Sequence, residues 1–443
     1  MRPVATPDRA TAQALADAAA RRSYGRLLAF VAARTRDIAA AEDALSEAFA
    51  SALAQWPQQG VPDNPAAWLL TAARRRLIDG ARRQATQDGA ADELLALAQP
   101  GFDADRVDGM GGRNTDAIPD DRLRLMFACA HPGIAADLRA PLMLQTVLGF
   151  DAATIGSAFR VAPSAMSQRL VRGKLRIRQA GIPFQVPEHH QLPERLQAVL
   201  AAVYAVYSDG WSDPLGTQAQ RRSLAEEAVW LGRLIVALLP DEPEALGLLA
   251  LMLYLDSRRM ARRDDQGEFV PLELQDTALW DSTLIREAEA LLHRAVALCW
   301  RVGPAAVAGP PDLQRIGRYQ LEAALQSAHA ERRLGGAIDW QAIVQLYDGL
   351  LLLTDSPVVA INRAVALAQA QGPEVGWAAL QAVADDARVA DYQPHWAARA
   401  ELLARLDRRD DAQAAYRRAI GLEIDPAVRR FLLRRAAQLG VIL

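Results

Sequence analysis

The sequence predicts an all-α protein, and three observations carry that prediction. Ala, Leu and Arg dominate the 443 residues, whereas aromatic residues make up 6% and β-branched ones are sparse; the three dominant types sit at the favourable end of the helix scale. Apolar residues recur at helical spacing in Leu27, Leu28, Phe30 and Val31, and again in Ala44, Leu45, Ala48, Phe49 and Leu53. The interruptions between such segments, WPQQGVPDNP (56–65) and PFQVP (183–187), are built from proline and glycine. A chain of 443 residues exceeds one ordinary core, and at roughly 100–200 residues per domain two to four domains are expected.

The first helical module spans 10–86. WPQQGVPDNP breaks its pattern, after which Asn64 stands before Pro65, a good cap followed by a good first helical residue. AAWLLTAARRRLIDGARR therefore opens a new helix. Residues 87–118 are rich in Gly and Asp and read as a flexible acidic linker, with one short helix at 94–98. Helical periodicity resumes at Arg122 and runs to Ile182, giving a second module at 119–186. Inside it, Asp151 is placed to cap a short helix through Ile155 and Phe159. Val161-Ala162-Pro163 makes a tight turn, and Met166, Leu170 and Ile177 form the buried stripe of a second helix. Ser164, Ser167, Gln168, Arg169, Arg172 and Lys174 are expected largely on its remaining faces. Short helix, tight turn and polar-basic second helix make a helix-turn-helix pattern.

From about 190 to 443 the chain is helical again. Asn362, Ala364, Leu367 and Gly376 fall 36 residues before Ala398, Ala400, Leu403 and Ala412. With Trp396, Tyr416 and Ala419, this spacing of large and small residues fits paired antiparallel helices of the tetratricopeptide (TPR) kind; an irregular Ala/Leu-rich bundle is the alternative. Residues 339–356 fit the second helix of a further repeat, whereas 190–340 shows helices without a period.

The bulk numbers exclude several functions. A net charge of −3 argues against nonspecific coating of nucleic acid but leaves room for local basic patches. Cys129 and Cys299 lie in apolar surroundings without metal-ligand spacing and read as buried thiols of a reducing compartment. With no cleavable leader pattern and no run near ~18 apolar residues, a soluble cytoplasmic protein is expected. Catalysis is not expected: the six histidines are scattered, DEPE (241–244) suits a helix start, and no phosphate loop or nucleophile elbow is present. No cofactor, metal or membrane partner is expected.

Two basic stretches point instead to nucleic acid. Gln168, Arg169 and Arg172 are residue types that read adenine and guanine edges in the major groove. Arg74, Arg75, Arg76, Arg82 and Arg83 load the helix that carries Trp68. Cations beside an aromatic ring suit a separated strand with unstacked bases, although core packing is the better explanation of Trp68 itself. Upstream, Glu42, Asp43 and Glu47 share a helix with the apolar stripe Leu45, Phe49 and Leu53.

The stretches AEDALSEAFASALAQW and NPAAWLLTAARRRLIDGARR resemble region 2 of the extracytoplasmic-function (ECF) sigma factors. IPDDRLRLMFACAHPGIAADLRAPLMLQTVLGFDAATIGSAFRVAPSAMSQRLVRGKLRIRQAGIPF resembles their region 4, and the long helical tail resembles the subgroup with a C-terminal TPR-type domain. The resemblance spans about 20–440 and implies a bacterial initiation factor. Its implied partners are promoter DNA and the RNA polymerase core, through the β′ clamp helices and β flap, with a protein or peptide partner for the TPR-like tail. It places polymerase docking on Glu42, Asp43, Glu47 and Phe49. Opening of the −10 element falls on Asn64, Trp68, Thr71, Arg75, Asp79 and Arg82, with Arg74 and Arg83 beside them. Reading of the −35 element falls on Ser164, Ser167, Gln168, Arg169, Arg172 and Lys174. The chain departs from the pattern at Thr154, Ala162, Ala165, Gly173, Ala130 and YSDGW (207–211). The competing functional reading is a one-component helix-turn-helix regulator with a TPR-type peptide sensor, which leaves the first module without a role.

Overall fold

Arg36 takes a left-handed backbone (φ 55°), which ends the helix at 24–35 (α1). Asp37 then accepts hydrogen bonds from the backbone N–H groups of Ala39 and Ala40 at 3.0 and 3.2 Å and so starts α2 (Ile38–Gln59). The computed structural model describes residues 24–88, 120–159, 161–188, 190–211, 219–301 and 316–441. Nearly all of the expected acidic linker, including the short helix at 94–98, lies outside the described residues, as does the start of the first module. All regular structure among the described residues is helical, with one isolated bridge between Arg263 and Phe269, as the composition predicts.

The end of α2 differs from expectation. The helix runs through Trp56 and Pro57 and stops at Gly60 (φ 86°), whose N–H donates to the Trp56 carbonyl at 3.0 Å. A proline in the last turn removes one backbone bond, and the residue that loses it, Leu53, is exposed. Continuing the helix brings Trp56 into the core. After the loop, α3 (Pro65–Asp88) begins at the Asn64-Pro65 pair, and the Ala67 N–H donates to Asn64 Oδ1 at 3.1 Å.

Four helices follow: α4 (Arg122–Cys129), α5 (Ala136–Leu148), α6 (Ala152–Ala158) and α7 (Pro163–Gln179). Asp151 caps α6, accepting from the Thr154 N–H at 2.7 Å, and these bonds hold its carboxyl below the usual range. Cys129 is fully buried, its Sγ 3.4 Å from Thr146 Oγ1, and burial pushes the thiol up to about 12. Gly173 in α7 looks from sequence like a loss of helix propensity. The structure shows its use, because a Cβ there would stand 2.8 Å from Leu138 Cδ2 and 3.0 Å from Leu142 Cδ1. Its absence lets α7 close onto α5. Helix α8 (Leu192–Trp211) covers α4 and α5, and Arg195 donates to the Phe127 carbonyl at 3.0 Å.

The described residues fall into two units, with the division at residues 228 and 229, inside α9 (Ala219–Leu238). The second unit continues with α10 (Pro243–Ser257), α11 (Ser282–Arg301), α12 (Arg318–Ala330), α13 (Trp340–Leu353), α14 (Pro357–Ala370), α15 (Pro373–Gln381), α16 (Gln393–Arg405), α17 (Arg409–Leu422) and α18 (Pro426–Gln438). Successive helices pair, α14 with α15 and α16 with α17. Three of the four pairs of positions 36 residues apart are alike, since Ala364 and Ala400, Leu367 and Leu403, and Gly376 and Ala412 are all buried, whereas Asn362 is exposed and Ala398 half-buried. Gly376 permits the first crossing, since a Cβ there would lie 2.4 Å from the Ala368 Cβ. Cys299, expected to be buried, is only half-buried, its Sγ 3.5 Å from Gln320 Oε1.

DEPE starts α10, as its composition suggests, but Glu244 also reaches another helix. Its carboxylate accepts from the N–H groups of Tyr319 and Gln320 at 3.1 and 3.2 Å, capping α12 across the fold. Gly317 leaves the room, since a Cβ there would meet the Glu244 carboxyl. Burial raises the Glu244 carboxyl above its usual range, and the backbone bonds oppose the shift.

A second buried group gives a pH test of this unit. Burial, with Arg258 and Arg332 nearby, lowers the pKa of His329 to about 4. A depressed histidine pKa contributes stability that is present above the unfolded value near 6.5 and lost as pH falls through 4. Acidification from pH 7 to 4 is therefore expected to cost the native unit roughly 2–3 kcal/mol more than it costs a His329→Phe variant. Urea unfolding at stepped pH values measures the difference.

Candidate nucleic-acid and polymerase interface

The candidate residues of α2 split by depth. Asp43 and Glu47 are exposed, and Phe49 is half-buried beside Tyr24, with ring centroids 6.4 Å apart. Glu47 pairs with Arg76 of α3 at 3.0 Å. Glu42 differs: its side chain is 16% exposed and it accepts from Lys174 of α7. Burial raises the Glu42 carboxyl above its usual range, and Lys174 opposes the shift. The other carboxylate oxygen is buried without a hydrogen-bond partner among the described residues.

On α3, Asn64 and Thr71 are engaged by their own helix, Asn64 as its cap and Thr71 donating to the Ala67 carbonyl at 2.9 Å. Trp68 sits edge-to-face with Trp56, centroids 5.6 Å apart and planes at 68°. One flank of the ring thus packs while the residue stays half-exposed, which joins the two readings the sequence left open. Arg74 is half-buried, and Arg75 and Asp79 are exposed. Arg82 and Arg83 lie on α3, with side chains outside the described residues.

On α7, Met166, Leu170, Gly173 and Ile177 form the buried stripe. Ser164, Ser167, Gln168, Arg169 and Arg172 are all exposed. Arg172 donates to Gln168 Oε1 at 3.3 Å, and Arg169 pairs with Asp137 at 3.1 Å. This array offers hydroxyls, an amide and two guanidinium groups over about two helical turns. Pro163 opens α7 without a side-chain cap from Ala162, which leaves the helix N-terminus open to an anion. Lys174 does not share that face. It lies at the edge of the stripe beside Leu170 and Ile177, 9% exposed, and its bond to Glu42 turns it inward.

Residues to which the sequence gives no cross-module role join the two modules. Arg34 meets Asp121 at 3.0 Å, and Arg178 meets Asp37 at 2.9 Å. Asp37 carried a local signal as a helix cap; its bond to Arg178 carried none, since pairing across 141 positions leaves no trace in one sequence.

Residues 20–87 match sigma-70 region 2, and residues 195–296 match a family of unknown function (DUF6596). An uncharacterized protein of Rhizobium meliloti (strain 1021) is 37% identical over 390 residues, which cover 87% of each chain. No solved structure matches. Among the described residues no helix is long and apolar enough to cross a membrane, and no group of His, Cys, Asp and Glu side chains is placed to hold a metal ion.

Proposed function

Because the chain belongs to the family of the Rhizobium meliloti protein and carries sigma-70 region 2, we propose that it is an ECF-type sigma factor with a fused C-terminal helical domain. The region 2 match carries this reading, since it gives the first module the role that a one-component regulator leaves idle. On this reading Asp43, Glu47, Phe49 and, when released, Glu42 dock on the β′ clamp of the polymerase core. Trp68 with the arginines of α3 receives the opened −10 strand, and region 4 meets the β flap. The exposed face of α7, from Ser164 to Arg172, enters the major groove at the −35 element. No step of this function breaks a covalent bond, so geometry and charge are all the chain must supply.

The second unit offers a cleft of about 650 Å³. Phe269, Leu274, Leu402 and Phe431 line it, with Arg405 and the paired Glu401 and Arg435 at its wall. Paired helices of this kind present grooves to peptides, and the cleft is the place proposed for a protein or peptide that governs the factor.

The experiment is reconstitution. Core polymerase lacking any sigma is mixed with the protein and a fragmented bacterial genome, and transcript starts are mapped. Starts that share two upstream elements support the reading; no transcripts above core alone contradict it. A second outcome follows if the exposed Arg172 contacts a phosphate rather than a base edge. Arg172→Ala is expected to weaken promoter binding across sequences and to lower the slope of log K against log salt by about 1, measured by anisotropy at several salt concentrations.

A further inference from the structure

The cleft of the second unit already holds part of its own chain. Between α10 and α11 the chain turns at Gly267 (φ 76°), with Arg263 bridged to Phe269. It then brings the strap 268–274 (EFVPLEL) into the cleft lined by α14, α16 and α18. Two anchors fix the strap. Arg263 is held by Asp425, the cap of α18, and Arg332, just after α12, donates to the carbonyls of Leu272 and Glu273 at 2.6 and 3.1 Å. Between the anchors Glu268 pairs with Arg430 and Arg434 of α18 at 2.6 and 2.9 Å. The Phe269 ring meets Phe431 edge-to-face, with centroids 5.4 Å apart and planes at 74°. This seat is light. Phe269, Val270 and Pro271 are only half-buried, and Leu274 is 71% exposed although it lines the cleft. About 650 Å³ of the cleft stays unfilled, whereas a finished interior leaves few gaps larger than a water molecule. Arg430 and Arg434 are exposed, and ion pairs at a surface hold little.

We infer that the strap is a built-in stand-in for the partner: the cleft takes an acidic–aromatic peptide segment, a carboxylate followed directly by an aromatic and then by aliphatic side chains, in place of 268–271. The inference deepens the reading of the cleft proposed above and rests on it for the partner's governing role. The strap shows the chemistry that the helices accept. A carboxylate from the partner takes Arg430 and Arg434, and its aromatic ring takes the edge of Phe431. The aliphatic side chains that follow enter the space the strap leaves unfilled. One cation of the wall is still on offer: Arg405 donates to the Ala368 carbonyl at 3.3 Å and has no carboxylate partner among the described residues. A second acidic group farther along the segment, placed as Glu273 stands after Glu268 in the strap, can meet it.

The probe is a fluorescein-labelled peptide, QGEFVPLELQ, copied from 266–275 and titrated by anisotropy into the full-length chain. In the wild type the tethered strap competes at high effective concentration, so weak binding is expected. Glu268→Ala with Phe269→Ala empties the seat and is expected to bind the peptide at least about 10-fold more tightly. Adding Arg430→Glu and Arg434→Glu is expected to abolish that gain, as is a peptide in which Lys and Ala replace its first Glu and its Phe. Should the double variant lose its circular-dichroism signal, Glu268→Gln alone, which keeps the ring, is expected to give a several-fold gain. An emptied seat that binds the peptide no more tightly than the wild type does overturns the inference, as does binding that charge reversal at Arg430 and Arg434 leaves unchanged. Peptide binding that leaves the transcripts of reconstituted polymerase unaltered supports the occupant and contradicts only the governing role of the cleft.

Discussion

Replacing Trp56 with alanine is expected to cost the first unit about 3–5 kcal/mol, the usual range for truncating a buried large aromatic. The ring is 2% exposed where the end of α2 meets the start of α3, and its edge-to-face contact with Trp68 is lost as well, worth about 0.5–1.5 kcal/mol in such pairs. Against a total stability of about 5–15 kcal/mol, the loss leaves the unit marginal, and the circular-dichroism midpoint in urea should fall sharply. Two controls separate packing from polarity. Trp68→Ala is expected to cost much less, because that residue is half-exposed. Trp56→Phe is expected to cost less than half as much as alanine. Its indole N–H has no acceptor among the described residues, so its removal also relieves a buried unpaired donor. A phenylalanine variant as unstable as the alanine one would show that the N–H is bonded after all.

The second large effect concerns docking. Asp43→Lys combined with Glu47→Lys is expected to weaken association with core polymerase at least about 100-fold, or roughly 3 kcal/mol. If acidic side chains dock, the facing surface is cationic, and like charges set against each other cost several kcal/mol. The fold should survive, because both residues are exposed and the one ion pair lost, Glu47 with Arg76, is also exposed; such pairs contribute about 0–1 kcal/mol. Titration of labelled protein with core polymerase reads the affinity, and unchanged circular dichroism checks the fold. Affinity within a few-fold of wild type would move the docking surface away from α2.

Local signals in the sequence were read well, and contacts between distant residues were not. Asn64-Pro65 announces the start of α3 because cap chemistry is local. The Asp151 cap, the turn before Pro163 and the stripe of Met166, Leu170 and Ile177 all follow from residues within a few positions of one another. Pro57 misleads for the complementary reason: a local rule predicts a break, and burial of Trp56 overrides it. Gly173 looked like a weakness because its value lies in the approach of Leu138 and Leu142 from another helix. Lys174 sits at the border of the α7 stripe, where helical geometry alone does not say whether a long cation turns out or in; Glu42, 132 positions upstream, decides it. Glu244 shows the same pattern, legible as a helix start and illegible as the cap of α12.

The central claim is that the chain rides on RNA polymerase. Full-length protein at moderate ionic strength, with its helicity verified, should co-migrate with sigma-free core polymerase in gel filtration. It should be displaced by an excess of another sigma factor, if both dock on the same clamp surface as proposed. Failure to co-migrate, or co-migration that no competing sigma factor reduces, would contradict the account.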